Sequence, residues 1–162
     1  MHIRPLNASD YSAVRALFVE TFTMPLGDLH ISWSGRSKKD SIGIFLRAES
    51  STAESSTAVS SEEKLIGFMI ASFSRSSGKS MYVDYFAIAK EYRGSGLGTK
   101  LLLDLVTECY DMRGSLHLYP ERDEIVPWYE RNGFRETRGG YYVFHSYNTR
   151  MQGGIHRRMG LS

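Results

Sequence analysis

Between Met81 and Asp111 the chain reads MYVDYFAIAKEYRGSGLGTKLLLDLVTECYD, with three glycines and an arginine where an apolar strand gives way to an amphipathic helix. Gly94, Gly96 and Gly98 leave main-chain N–H groups unobstructed at the helix N-terminus. Unpaired donors and the helix dipole both favour an anion there. Arg93 adds a permanent cation whose fork of donors suits phosphate. The chemistry on offer is that of a pyrophosphate cradle. The bland alternative is a glycine-rich surface turn, and the well-formed strand and helix on either side argue against it.

Spacing narrows the choice of pyrophosphate. A Walker A loop ends in Gly-Lys-Ser/Thr, whereas Gly98 is followed by Thr99-Lys100, in the reverse order. The dinucleotide fingerprint requires G-x-G-x-x-G, and Gly94, Gly96 and Gly98 are spaced G-x-G-x-G. A kinase loop shares that unmet spacing and would need an HRD segment, which the chain lacks. The pattern present is R-x-x-G-x-G running directly into a helix.

The elements that must hold this loop follow from periodicity. HIRPL reads as a strand, and Ser9 or Asp10 can cap a helix with Val14, Leu17, Phe18 and Phe22 on one face. TMPLGDLHISWSGRSKKD carries mixed signals and reads as a loop with a short helical piece. IGIFLRA and KLIGFMIASFS are strands, and SSGKS turns the chain into MYVDYFAIA. That last strand is apolar on both faces except at Asp84, as a central strand is. Leu101, Leu102, Leu105, Val106 and Cys109 recur with a helical period that stops at Gly114. SLHLY is a strand, Asp123 can cap a helix over DEIVPWYERN, and Pro127 is tolerable near its first turn. Gly133 ends that helix, and FRETRGGYYVFHSYN closes as a hairpin around Gly139-Gly140. The order β-α-(α)-β-β-β-α-β-α-β-β predicts an α+β (α/β/α) fold. Its mixed sheet of about six or seven strands is mostly antiparallel, with flanking helices and one parallel β-α-β crossover.

The remaining sequence sets boundaries. AESSTAESSTAVSSEEK repeats AESST and has almost nothing to bury, so 49–63 reads as a flexible low-complexity insertion. Arg150, Arg157 and Arg158 lie in a short basic tail, 149–162, which leaves 17 basic against 18 acidic residues in a single domain over 1–148. A near-neutral body argues against a nucleic-acid partner. No apolar run approaches the ~20 residues of a membrane span, and the N-terminus has no signal-peptide stretch. A single cysteine, Cys109, excludes an internal disulfide and fits a reducing, cytoplasmic setting. No Cys/His cluster has zinc-ligand spacing, so no metal is expected.

Two segments, YFAIAKEYRGSGLGTKLL and PWYERNGF, resemble the acetyl-CoA loop and the [FL]-Y-x-[KR]-x-G-F ending of the GNAT N-acetyltransferase superfamily. The likeness runs over nearly the whole of residues 1–148. It implies acetyl-CoA as cosubstrate and two central strands that splay into a V-shaped slot. It also implies that main-chain groups of Phe86, Ala87 and Ile88 meet the pantetheine arm. The pyrophosphate would rest on Arg93, Gly94, Ser95, Gly96, Leu97, Gly98 and Thr99. Tyr129 matches the tyrosine that protonates the departing thiolate, with core packing of an aromatic as the other reading. The chain departs from the family at Arg122, where members often carry Asn.

Acetyl transfer to an amine requires the neutral nucleophile, donors for the developing oxyanion and an acid for the thiolate. Asp84 is the expected base, directly or through water; the alternative is a strand-end Asp bonded to backbone. The N–H of Ile88 or a neighbour is the expected oxyanion donor. An acidic residue in this strand is similar to that of polyamine (spermidine/spermine) N-acetyltransferases, which points to a small cationic amine attracted by Asp84 and Asp28. The competing acceptor is a protein or peptide amine, N-terminal or lysine, clamped by Tyr141 and Tyr142. A non-catalytic CoA-binding module is the third reading. His117 and His145 are spare bases or packed side chains. Exposed edges in the closing strands leave room for a homodimer.

Overall fold

The structure, a computed structural model, describes residues 1–35, 41–47, 63–74, 79–111 and 113–146. Its elements are β1 (His2–Pro5), α1 (Tyr11–Thr21), α2 (Leu26–Gly35), β2 (Ile42–Arg47), β3 (Glu63–Phe73), β4 (Ser80–Ile88), α3 (Leu97–Asp111), β5 (Ser115–Leu118), α4 (Val126–Arg131), β6 (Arg135–Glu136) and β7 (Tyr142–His145). The insertion expected over 49–63, apart from Glu63, lies outside the described residues, as do the basic tail 149–162 and most of the SSGKS turn.

The strands form one sheet in the order β1-β2-β3-β4-β5-β7-β6, with β4 at its centre. Among the described residues five pairings are antiparallel, and only β4–β5 is parallel, joined through α3. This is the mixed, mostly antiparallel layout that the element order predicts.

The sheet is covered on both faces. Against one face, Leu101, Leu102, Leu105, Val106 and Cys109 of α3 and Tyr129 of α4 pack on Met69, Met81, Leu116 and Phe144. Against the other, Val14, Leu17 and Phe18 of α1 and Leu29 of α2 pack on Phe68, Ile70 and Ala87. Each such side chain contributes about 1.5–3 kcal/mol of burial. β4 supplies both cores and cannot move without disturbing both.

The structure corrects several local readings. The mixed segment after α1 forms a full ten-residue helix, α2, because Leu26, Leu29 and Trp33 find a core to bury in. Asp10 holds the N-cap position of α1 but makes no capping bond there; the side-chain cap lies one 3-10 turn earlier (Ala8–Asp10), where Asn7 Oδ1 accepts from Ser9 N–H and Asp10 Oδ2 accepts from Asn7 N–H. Asp10 also takes two bonds from Arg4, at 2.8 and 2.9 Å, tying β1 to the start of α1. Asp123 opens a 3-10 turn instead of capping α4, which starts at Val126 with Pro127 in its first turn. At the end of α3 the left-handed residue is Arg113 (φ 52°) and not Gly114. Gly114 is needed for space, since a Cβ there would meet the Lys79 carbonyl at 2.2 Å. Gly133 ends α4 as expected, with φ 97° and its N–H bonded to Glu130 O.

Candidate active site

The glycine loop leaves β4 through a 3-10 turn, Lys90–Tyr92, and enters α3 at Leu97. Gly94 and Gly96 have φ of 78° and 82°, and a Cβ at either would meet nothing. Glycine is therefore required there by conformation, not by room. Gly98 is the opposite case, since its Cβ would press on Phe86 Cζ at 3.3 Å. The first bond of the helix runs from Lys100 N–H to Gly96 O, so the N–H groups of Leu97, Gly98 and Thr99 precede the ladder. Ser95 Oγ donates to Tyr92 O and closes the turn, which leaves its main chain for other partners. Arg93 is exposed and donates through Nε to Ile88 O at 2.8 Å. That bond tethers the guanidinium beside the loop while its Nη groups make no hydrogen bond among the described residues.

A gap opens next to the loop. Pairing of β4 with β5 runs from Ser80–Ser115 to Val83–Leu118 and ends there, while β4 continues to Ile88 paired only with β3. The main-chain groups of Phe86 and Ile88 that face away from β3 thus have no strand partner, Ile88 O being met by Arg93, while strand alternation turns those of Ala87 toward Phe68 of β3.

Asp84 marks the start of this free edge. In the β3–β4 register Ile70 faces Tyr85 and Ala71 faces Val83, so Asp84 is the extra residue of a β-bulge. The bulge sends two successive side chains, Asp84 and Tyr85, toward α2. Ser32 of α2 hydrogen-bonds to both side chains, and Ser72 Oγ lies 3.4 Å from Asp84 Oδ1. Asp84 is exposed at the residue level, yet protein crowded around the carboxyl raises its pKa, and the Ser32 and Ser72 hydroxyls pull it partway back. The Tyr85 phenol is also raised, by burial first and then by the charges of Asp28 and Asp84. Asp28, in the first turn of α2, therefore shares this region with Asp84. Phe18 and Phe22 pack on Tyr85 with ring centroids 5.0 and 5.6 Å away.

Tyr129 lies on the opposite face of the sheet. It is 6% exposed, with its ring against Trp128 (4.9 Å) and Phe134 (5.7 Å). Burial pushes its phenol well above the usual tyrosine range. Its hydroxyl makes no hydrogen bond among the described residues. Trp128 in turn stacks near Phe86 and donates to Thr99 Oγ1 at 3.2 Å.

Other candidates separate cleanly. Tyr142 is 8% exposed and belongs to the core under α4, so it presents no open ring to a peptide. Its neighbour Tyr141 is 45% exposed and meets Tyr119, 64% exposed, edge-on at 5.6 Å. His117 stacks on Tyr82 at 4.6 Å and bonds Ser115 Oγ at 2.8 Å, and burial followed by His145 lowers its pKa. Cys109 is fully buried, and its thiol is pushed up to about 12, as fits a packing role. Among the described residues no group of three or more His, Cys, Asp or Glu could hold a metal, and no helix is long and apolar enough to cross a membrane. Sequence reasoning passed over Ser32, Tyr119 and the Thr99–Trp128 pair. Only the fold brings Ser32 to Asp84, and no local pattern signals that contact.

The loop, the split between β4 and β5 and the flanking helices form the frame of the site, and comparison with known families says which fold family it is. A model of the Acetyltransferase (GNAT) family matches residues 12–134, and the chain belongs to that family. No curated protein matches it. Among solved structures it is similar to the ribosomal-protein-S18-alanine N-acetyltransferase from Escherichia coli (TM-score 0.63, 16% identity, 89% of this chain and 92% of that one). It is also similar to the GNAT N-acetyltransferase YhbS from Escherichia coli in complex with CoA (0.64, 15%, 94% and 84%). A third is Naa50 from Arabidopsis thaliana with the bisubstrate analogue CoA-Ac-MVNAL (0.65, 13%, 88% and 95%). At these identities the likeness is one of fold.

Proposed function

We propose that this protein moves an acetyl group from acetyl-CoA to a primary amine by direct attack, with Asp84 as base and Tyr129 as acid. The observation that carries the reading is the free edge of β4. It has the anion cradle of α3 at one end, a bulged carboxylate at the other, and helices closing both faces. The N–H groups of Leu97, Gly98 and Thr99, with Arg93, hold the pyrophosphate. The main chain of Phe86 and Ile88 on the β5 side takes the pantetheine amide groups, so the thioester enters the gap from the α3–α4 side.

The acceptor arrives from the α1–α2 side. Asp84, directly or through one water, takes the proton of the ammonium, and the nitrogen lone pair then forms the new C–N bond. An N–H on the free edge, Ile88 or a neighbour, meets the oxyanion. As the C–S bond breaks, the Tyr129 hydroxyl gives its proton to the sulfur, and the nitrogen, now bonded to carbon, releases its second proton to water. Tyr129 is reprotonated from solvent and Asp84 returns its proton there, a net release of one proton. Burial keeps the phenol in the protonated form that can donate. Holding both reactants in one gap supplies the rest, with no covalent enzyme intermediate.

A small polyamine-like cation is the acceptor favoured by Asp28, Asp84 and the partly exposed rings of Phe22 and Tyr85, which together attract and cover an ammonium. One observation favours a peptide amine instead: the exposed Tyr119–Tyr141 pair, with Tyr119 directly beyond the end of β5. Thiol release from acetyl-CoA over a panel of diamines and short peptides separates these readings. Turnover with diamines that weakens steeply with salt supports the first. Dependence on the leading residues of a peptide supports the second. Tight acetyl-CoA binding with no acceptor-dependent thiol release, and no change on Asp84→Asn, leaves a binding module.

A further inference from the structure

Trp128 stands between the cradle and the candidate acid without belonging to either. Its indole Nε1–H donates to Thr99 Oγ1 at 3.2 Å, and its ring packs against both Phe86 and Tyr129. An indole N–H can only donate, so the Thr99 hydroxyl must accept, and its own proton is directed elsewhere. A helical threonine ordinarily spends that proton on the carbonyl one turn back. Thr107 in the same helix does so, donating to Leu103 O at 2.7 Å. Thr99 makes no such bond among the described residues, and it sits half-buried in the turn whose N–H groups precede the helix ladder.

We infer that Trp128 is a positioning residue for the pyrophosphate: by engaging the Thr99 oxygen as an acceptor, it turns the Thr99 hydroxyl proton outward to the anion. The inference rests on the cradle reading above and goes beyond it, because it assigns a role to a side chain on α4 that does not touch phosphate itself.

Calorimetry with CoA, and with pantetheine, which lacks the pyrophosphate, tests it on four variants. Thr99→Val is expected to weaken CoA about tenfold and Trp128→Phe about fivefold, the effect of one hydrogen bond to a charged group. The double variant should bind CoA no worse than Thr99→Val alone, and Thr99→Ser should bind within about twofold of the parent. Pantetheine should bind all four alike. Replacing Trp128 by 3-benzothienylalanine, which keeps the shape and removes only the N–H, should reproduce the fivefold loss even if the phenylalanine variant folds poorly. Additive losses in the double variant, equal losses for pantetheine, or full CoA affinity in the benzothienyl protein would each overturn the inference while leaving the cradle intact. Absence of CoA binding by the parent protein would overturn both.

Discussion

The two sides of β4 are assembled from different kinds of sequence. On the α3–α4 side, strand, loop and helix are contiguous from Ser80 to Asp111, and one short motif sets the backbone of the cradle. On the α1–α2 side, Asp28, Ser32, Ser72, Asp84 and Tyr85 come from three elements and meet only when the sheet closes. The first side is generic chemistry held rigidly. The second is a set of separately replaceable side chains around one bulge, where acceptor choice can vary without disturbing the cofactor grip.

That contrast can be broken most forcefully from the proposed base and acid. Asp84→Asn is expected to lower kcat by about 10²–10⁴-fold while acetyl-CoA affinity stays within about twofold. Tyr129→Phe should act in the same direction; both are read from steady-state rates beside calorimetry. Loss of cofactor binding in either would mean that the two sides are not separable. Arg93→Glu should do the reverse, abolishing CoA binding by reversing the charge beside the loop and freeing the Ile88 carbonyl. A smaller effect is expected at Gly96→Ala, which forces a Cβ into a left-handed conformation at a cost of about 1–2 kcal/mol, visible as a lowered Tm and weakened CoA binding.

Much of the cofactor side is legible in the sequence because its constraints are local. Gly94 and Gly96 announce left-handed backbone, and the Leu101–Cys109 period announces a buried face. The acceptor side is less legible. A bulge is a property of two strands in register, and MYVDYFAIA alone gives no sign that Asp84 is the unmatched residue. Helix α2 follows Pro25 and has Gly27 and several polar residues around few apolar ones, so its helicity depends on the core under Leu29. Tyr141 and Tyr142 look equivalent in sequence, but Tyr142 opens β7 and is buried, whereas Tyr141 precedes the strand and is exposed.

Two finer measurements sharpen the comparison. Ser32→Ala removes a donor that favours the Asp84 carboxylate, so the acidic limb of the kcat/KM profile should move to higher pH. An unmoved limb would detach α2 from the base. The least effect concerns stability. The folded pKa of Asp84 lies above its unfolded value, so its contribution is fully present below the unfolded pKa and is lost as pH rises through the folded one. Asp84→Asn should therefore raise Tm at neutral pH, by about 1–2 °C given solvent screening at an exposed site, and change nothing at pH 3.

Cys109 has a practical consequence. The sole thiol of the chain is sealed under α3 and resists ionisation, so maleimides should pass over the native protein. A cysteine introduced at a surface position of α2, such as Ile31, then becomes a unique attachment point for a fluorophore. Its emission would report how the helix responds as each reactant enters, in a background that needs no prior removal of native sulfhydryls.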